Sequence, residues 1–238
     1  MSAHDRLIVA LDFPSRSEAI DLAGLLGDEV SNYKVGLELL TAAGPEIVRE
    51  LRDIGKSVFM DLKLHEIPHS VASAVRVCGQ LGASMVTVHA SAGRSVLCAA
   101  AEAAADFPEL RILALTVITS LTDEGLVDVG VPDGVTSQVA RLATLARVSG
   151  CHGVVASPKE VALCRALLPA GALVVVPGAV LGPVDDRPSD HARVADATHA
   201  VAAGASHLVM GRSITRAANS RDVARQVIRA IEMGASTR

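Results

Sequence analysis

Aromatic side chains are almost missing from this chain: there is no tryptophan, one tyrosine and three phenylalanines among 238 residues. Nucleic-acid-binding surfaces stack bases on aromatic platforms and lay a basic stripe against phosphates. With so few rings and a formal charge of −4, the sequence supplies neither, and no nucleic-acid partner is expected. Long apolar runs are missing too. Stretches such as 172–181 are broken by Pro and Gly, well short of the roughly 20 residues that span a bilayer, so no membrane partner is expected. Met1-Ser2-Ala3-His4-Asp5-Arg6 leads straight into Leu7-Ile8-Val9-Ala10-Leu11-Asp12 with no secretory pattern between, which predicts a cytoplasmic location. Cys78, Cys98, Cys151 and Cys164 have no paired spacing, so they read as small buried hydrophobes rather than metal ligands or disulfide partners.

What the chain does have is apolar residue, half of its composition, arranged in a repeating order. Short Val/Ile/Leu runs at 7–12, 33–37, 58–63, 85–89, 112–116, 153–156, 173–176 and 207–210 predict strands. Each is followed by an Ala-rich segment with helical apolar spacing, at 16–26, 45–54, 70–81, 95–104, 137–149, 158–167, 197–203 and 221–232. Pro45 and Pro158 suit first helical turns, and Gly55, Gly82 and Gly204 stand where helices should stop. Strands that are apolar throughout, rather than alternating, have both faces covered, as parallel strands inside a ring of helices do. Eight such units predict an α/β fold, a single-domain (β/α)8 TIM barrel over residues 1–238. A doubly wound open sheet is the alternative, but no Gly-x-Gly-x-x-Gly follows the first strand.

In such a barrel the chemistry gathers at the C-terminal ends of the strands. Asp12 ends the first predicted strand, Lys34 lies in the second, Asp61 and Lys63 end the third, His89 ends the fourth, and Thr119 with Ser120 follows the fifth. Asp61 and Lys63, two apart on a strand, should share a face. A single Asp or Lys at a strand end is more often a cap or a solvated charge, and a lone His89 is more often structural than chemical. Four alternating charges converging on one mouth carry more weight, because buried charge is costly unless paired. After the eighth strand, Gly211-Arg212 fits a phosphate grip of backbone N–H groups and guanidinium, and Pro177-Gly178 after the seventh would form its other wall.

These residues together resemble the orotidine 5′-phosphate decarboxylase family. The likeness runs through Leu7-Ile8-Val9-Ala10-Leu11-Asp12, Lys34-Val35-Gly36-Leu37-Glu38-Leu39, Asp61-Leu62-Lys63-Leu64-His65, Val88-His89-Ala90, Pro177-Gly178 and Gly211-Arg212-Ser213-Ile214-Thr215. The resemblance implies a homodimeric barrel that removes CO2 from C6 of orotidine monophosphate to give uridine monophosphate, without cofactor or metal. It implies that Asp61 sits against the substrate carboxylate, that Lys63 stabilises and protonates the carbanion at C6, and that Lys34 holds Asp61 ionised and contacts the ribose, as Asp12 does. Glu66 would complete the catalytic set from across the dimer interface. Thr119 would recognise the pyrimidine, Gly211 and Arg212 would grip phosphate, and Ile67, Ser70, Ser120, Pro177 and His191 would line the substrate site. The related sugar-phosphate decarboxylases and hexulose-phosphate synthases share Asp-x-Lys but place an acid on the second strand and use magnesium; Lys34 points away from them.

The sequence departs from the family pattern at four places. Glu66 stands where the family has the one-methylene-shorter Asp, and His69-Ser70 replaces a polar-Thr pair. Val180 occupies the position where bacterial relatives carry Arg after Pro-Gly-x, and Asp190-His191 replaces Asp-Gln, leaving Arg212 as the obvious phosphate cation, with Arg187 or His191 as replacements. These changes motivate a second reading, a divergent decarboxylase or carbon–carbon lyase acting on a modified nucleotide or nucleoside. A third, a non-catalytic nucleotide-binding barrel, would not need Lys34, Asp61 and Lys63 crowded together.

Overall fold

The computed structural model describes residues 2–182, 193 and 195–237. Eight parallel strands close into a barrel: β1 Leu7–Ala10, β2 Asn32–Val35, β3 Ser57–Leu64, β4 Met85–His89, β5 Arg111–Leu115, β6 Gly153–Val155, β7 Leu173–Pro177 and β8 His207–Met210. Each pairs with its sequence neighbour except at the seam, where β1 meets β8 with Val9 opposite Met210. Eight helices form the outer ring: α1 Arg16–Leu26, α2 Glu46–Asp53, α3 Pro68–Gln80, α4 Arg94–Ala104, α5 Gly134–Val148, α6 Val161–Leu167, α7 Ala197–Ala203 and α8 Ser220–Ser236. The predicted (β/α)8 architecture is the one observed.

The continuous apolar runs divide by pleat. Ile8 and Ala10, Phe59, Met85, Leu113 and Leu115, Val155, Val175 and Val209 fill the barrel interior. Their alternates, among them Leu7, Val9, Val58, Val86, Ile112, Val154 and Val174, pack outward against helix faces such as Ile47, Val48 and Leu51. A period of two therefore assigns each strand residue to one of two apolar layers. At roughly 25 cal/mol per Å2, burial in these layers is the dominant favourable contribution to the fold.

The element bounds differ from the sequence reading where local chemistry intervenes. Strand β1 stops at Ala10, so Asp12 lies beyond it. Strand β2 stops at Val35, because Gly36 turns the chain into an extra helix, Leu37–Ala43, that buries Leu39 and leaves Leu37 exposed. Pro158 opens a short 3-10 turn before α6 rather than the helix itself. Helices Ala3–Arg6, Asp123–Asp128 and Arg212–Thr215 are further additions, the second capped by Thr122, whose hydroxyl accepts the Gly125 N–H. Gly55, Gly82 and Gly204 end their helices at φ of +76°, +84° and +120°, where a Cβ would be strained. The four cysteines are free, and no helix among the described residues is long and apolar enough to cross a membrane.

Candidate active site

At the C-terminal mouth of the barrel, three consecutive strands deliver alternating charge. Register places Ala10 opposite Lys34 and Lys34 opposite Phe59, so the segments carrying Asp12, Lys34 and Asp61 lie side by side. Lys34 Nζ donates to Asp12 Oδ1 at 2.8 Å and stands 3.8 Å from Asp61 Oδ2. Lys63 Nζ meets that same Asp61 oxygen at 2.8 Å. The side chains of Lys34 and Asp61 retain only 12% and 14% of their exposure, whereas Lys63 keeps 36% and Asp12 50%. The inner pair is thus dry and the outer pair open to an arriving ligand. Paired in this way, the buried charges avoid the large cost of isolation.

Asp61 and Lys63 do meet, but not through simple strand alternation. Opposite β4, β3 advances from Met60 to Leu64 while β4 advances only from Val86 to Val88, which is a bulge. Within it, Lys63 adopts a φ of +50°, the left-handed region, which costs about 1 kcal/mol or more for a residue with a Cβ. Thr87, fully buried on β4, holds the bulge: its hydroxyl accepts the Lys63 N–H at 2.8 Å and donates to Asp61 Oδ1 at 2.9 Å. The backbone of Lys63 and the carboxylate it faces are therefore set by one side chain.

Two further features were missed by reading the sequence. Thr87 was hidden inside an apolar strand, although a lone hydroxyl among Met85, Val86 and Val88 is the signal that could have marked it. Gly36 gives the cluster room: a Cβ there would stand 2.8 Å from Lys34 Nζ and 3.1 Å from Asp12 Oδ1. Beside Lys63, the ring of His89 stacks on His65 at 5.2 Å and its Nδ1 shares a hydrogen bond of 2.8 Å with the Ser91 hydroxyl. Burial, with the neighbouring His65 and Lys63 adding to it, holds the His89 imidazole below its ordinary pKa. An uncharged ring therefore borders the Lys63 ammonium at neutral pH.

The remaining sequence-predicted residues are distributed around the same rim. Glu66 and Ile67 are exposed on the loop after β3, with Glu66 Oε1 accepting the Ile67 N–H at 2.7 Å, and Ser70 lies in the first turn of α3. Within one chain Glu66 makes no hydrogen bond or ion pair with Lys34, Asp61 or Lys63. Thr119 is buried and Ser120 exposed in the loop after β5. Pro177 ends β7 opposite Val209, while Gly211 and Arg212 follow β8, on the rim next to Asp12. His191 and Arg187 lie outside the described residues.

The arrangement can set a ligand carboxylate against Asp61, present an ammonium to a carbon losing that carboxylate, and offer the rim next to Asp12 to a phosphate. Comparison with known proteins identifies the family. The family described as orotidine 5′-phosphate decarboxylase / HUMPS matches residues 5–227. The orotidine 5′-phosphate decarboxylase of Caulobacter sp. (strain K31) is 44% identical over 228 residues, covering 96% of this chain and 97% of the relative. That of Marinomonas sp. (strain MWYL1) is 41% identical over 219 residues, with 91% and 92% covered. The crystal structure of orotidine 5′-phosphate decarboxylase from Lactobacillus acidophilus superposes with a TM-score of 0.84 at 29% identity, covering 95% of this chain and 99% of that one. With a family match over most of its length, relatives of this similarity and a matching barrel, the chain belongs to the orotidine 5′-phosphate decarboxylase / HUMPS family.

Proposed function

We propose that this protein is a carboxy-lyase that converts orotidine 5′-monophosphate to uridine 5′-monophosphate, a step of pyrimidine biosynthesis, and that it works in the cytoplasm. The observation that carries the reading is Asp61 held between two ammonium groups, Lys63 at 2.8 Å and Lys34 at 3.8 Å. A carboxylate so fixed would stand against the substrate carboxylate, and their repulsion is relieved as CO2 departs. When the C6–carboxylate bond breaks, its electron pair stays on C6. Lys63, the more exposed of the two amines, would stabilise that charge and then transfer an Nζ proton to C6, leaving uridine monophosphate and a neutral amine that solvent reprotonates. Charge aimed in advance at the developing carbanion needs no solvent reorganisation, which is usually the largest catalytic contribution. Lys34 and Asp12 would meet the ribose hydroxyls, Thr119 and Ser120 the pyrimidine, and Pro177, Gly211 and Arg212 the phosphate, with Ile67 and Ser70 lining the wall. Binding energy from the remote phosphate would hold the ring in place for reaction.

Glu66 has a role in this scheme only if a second copy of the chain brings it to the neighbouring site, so we infer a homodimer with Glu66 crossing the interface. Its exposed carboxylate beside the exposed Ile67 supports that placement. Mixing Lys63→Ala chains with Glu66→Ala chains should restore activity to about a quarter of the wild-type value, since half of the dimers would each hold one intact site. No recovery on mixing would remove the crossing. The activity itself is tested by adding orotidine monophosphate to purified protein and following the pyrimidine absorbance, with and without EDTA. Turnover unaffected by EDTA is expected; binding of the nucleotide without turnover would defeat the reading, and loss of turnover in EDTA would favour the magnesium-dependent relatives.

A further inference from the structure

Away from the charge cluster, one buried cation gathers three successive loops at the barrel mouth. Arg193, in the chain beyond β7, retains 11% of its side-chain exposure, and its partner Glu160, before α6, retains 7%. Arg193 Nε lies 3.1 Å from Glu160 Oε1 in an ion pair and donates to Ser157 Oγ at 3.3 Å, and the Ser157 hydroxyl in turn donates to Glu160 Oε2. The other guanidinium nitrogens turn to the loop after β5. Nη1 donates to the Leu121 carbonyl, and Nη2 donates to the carbonyls of Val117 and Ile118 at 3.4 and 3.5 Å.

Those three carbonyls bracket Thr119 and Ser120. Between the end of β5 at Leu115 and the helix starting at Asp123 the chain has no regular structure, and its own hydrogen bonding there includes a single Leu121 N–H to Ile118 carbonyl contact. A planar guanidinium with five donors can satisfy a carboxylate and several carbonyls at once, which the compact ammonium of a lysine cannot. A buried charge serving one loop from two others is expensive unless all its partners are kept.

We propose that Arg193 is a positioning residue: by clasping the carbonyls of Val117, Ile118 and Leu121 to Ser157 and Glu160, it sets the loop bearing Thr119 and Ser120, and with it the fit of the pyrimidine. The assignment rests on the decarboxylase reading above. Arg193→Met should raise KM for orotidine monophosphate and Ki for uridine monophosphate by about tenfold, with a smaller effect on kcat, because a displaced loop loses base contacts before it touches the reacting carbon. Inhibition by ribose 5-phosphate, which lacks the base, should not change. Backbone amides at 118–121 should exchange with deuterium faster than in the wild type. Arg193→Lys should recover part of the loss, and Glu160→Gln, which leaves the buried guanidinium without its countercharge, should weaken the same two nucleotides several-fold. Unchanged exchange at 118–121, or equal weakening of uridine monophosphate and ribose 5-phosphate, would overturn the proposal, as would a lowered Tm with both inhibition constants intact. Failure of the wild-type chain to release CO2 would instead defeat the decarboxylase reading, while the exchange comparison would still report on the clasp.

Discussion

The two ends of the barrel use charged and polar side chains in opposite ways. At the N-terminal end, these groups are bound to backbone. Arg6 donates to the carbonyls of Ala205 and Ser206, Lys56 to those of Gly27 and Val30, Ser84 to Val58 and Ser206 to Val174. Each of these closes the start of one strand onto a neighbouring segment and leaves little capacity for a ligand. At the C-terminal mouth, Asp12, Lys34, Asp61 and Lys63 are bound to one another, with Thr87 as the nearest uncharged partner. Side chains held by backbone carbonyls fix structure, at the floor and, in the case of Arg193, at the mouth as well; side chains held by opposite charges keep hydrogen-bonding capacity that a substrate can claim. The mouth also carries backbone strain at Lys63, which the floor does not share among the described residues. A cation found in a barrel is therefore assigned to structure or to chemistry by its partner.

The contrast can be broken from either end. Lys63→Ala should lower kcat by about a thousandfold or more, since it removes the proton donor, while circular dichroism and Tm remain near wild type because the side chain is partly exposed. Unchanged kcat would contradict its role. At the floor, His207 is buried, and burial foremost, with Arg6 adding and Asp5 opposing, pushes its imidazole down to about 4. The unfolded chain binds this proton near pH 6.5 and the folded chain only near pH 4. Stability from this group is therefore complete above pH 6.5 and lost as pH falls towards 4, by about 3 kcal/mol in all at 1.36 kcal/mol per unit. Urea unfolding at a series of pH values checks it, and a flat profile between pH 6.5 and 5 would refute it.

Lys56→Met is the floor counterpart of the Lys63 change. It should cost about 2 kcal/mol of stability by leaving the Gly27 and Val30 carbonyls without their donor, and it should leave kcat untouched; a substantial fall in kcat at full folding would blur the division. The smallest effect is expected of Gly36→Ala. Its φ is ordinary, so no backbone strain follows, but the new methyl would push Lys34 away from Asp12. Steady-state kinetics should show kcat/KM lowered by about tenfold with the melting temperature preserved; a drop in melting temperature with intact kinetics would show that the glycine serves the fold instead.

Much of this was legible along the chain because the relevant signals are local. Apolar runs of four to eight residues followed by helical spacing identify β/α units wherever they lie, and Asp61-x-Lys63 is a two-residue relation on one strand. The bounds slipped at Asp12, Gly36 and Pro158, where one turn residue outweighs the apolar pattern. Thr87 and Arg193 escaped notice for a different reason. Thr87 acts on a residue 26 positions earlier, and Arg193 reaches 72 positions back to Leu121. Neither separation has a periodicity, so although a lone hydroxyl in an apolar strand singles out Thr87, no local pattern announces what either residue contacts.

By itself, the amino-acid sequence determined the alternation of strands and helices, the two apolar layers and the order in which charges arrive at strand ends, since all three follow from neighbouring residues and the pleat. Tertiary structure alone decided that the third-strand acid lies between two amines, that a threonine on the next strand holds the strained lysine, and that one arginine draws three loops together. Those outcomes depend on distances of about 3 Å between segments far apart in the chain, and such distances exist only once the barrel has closed.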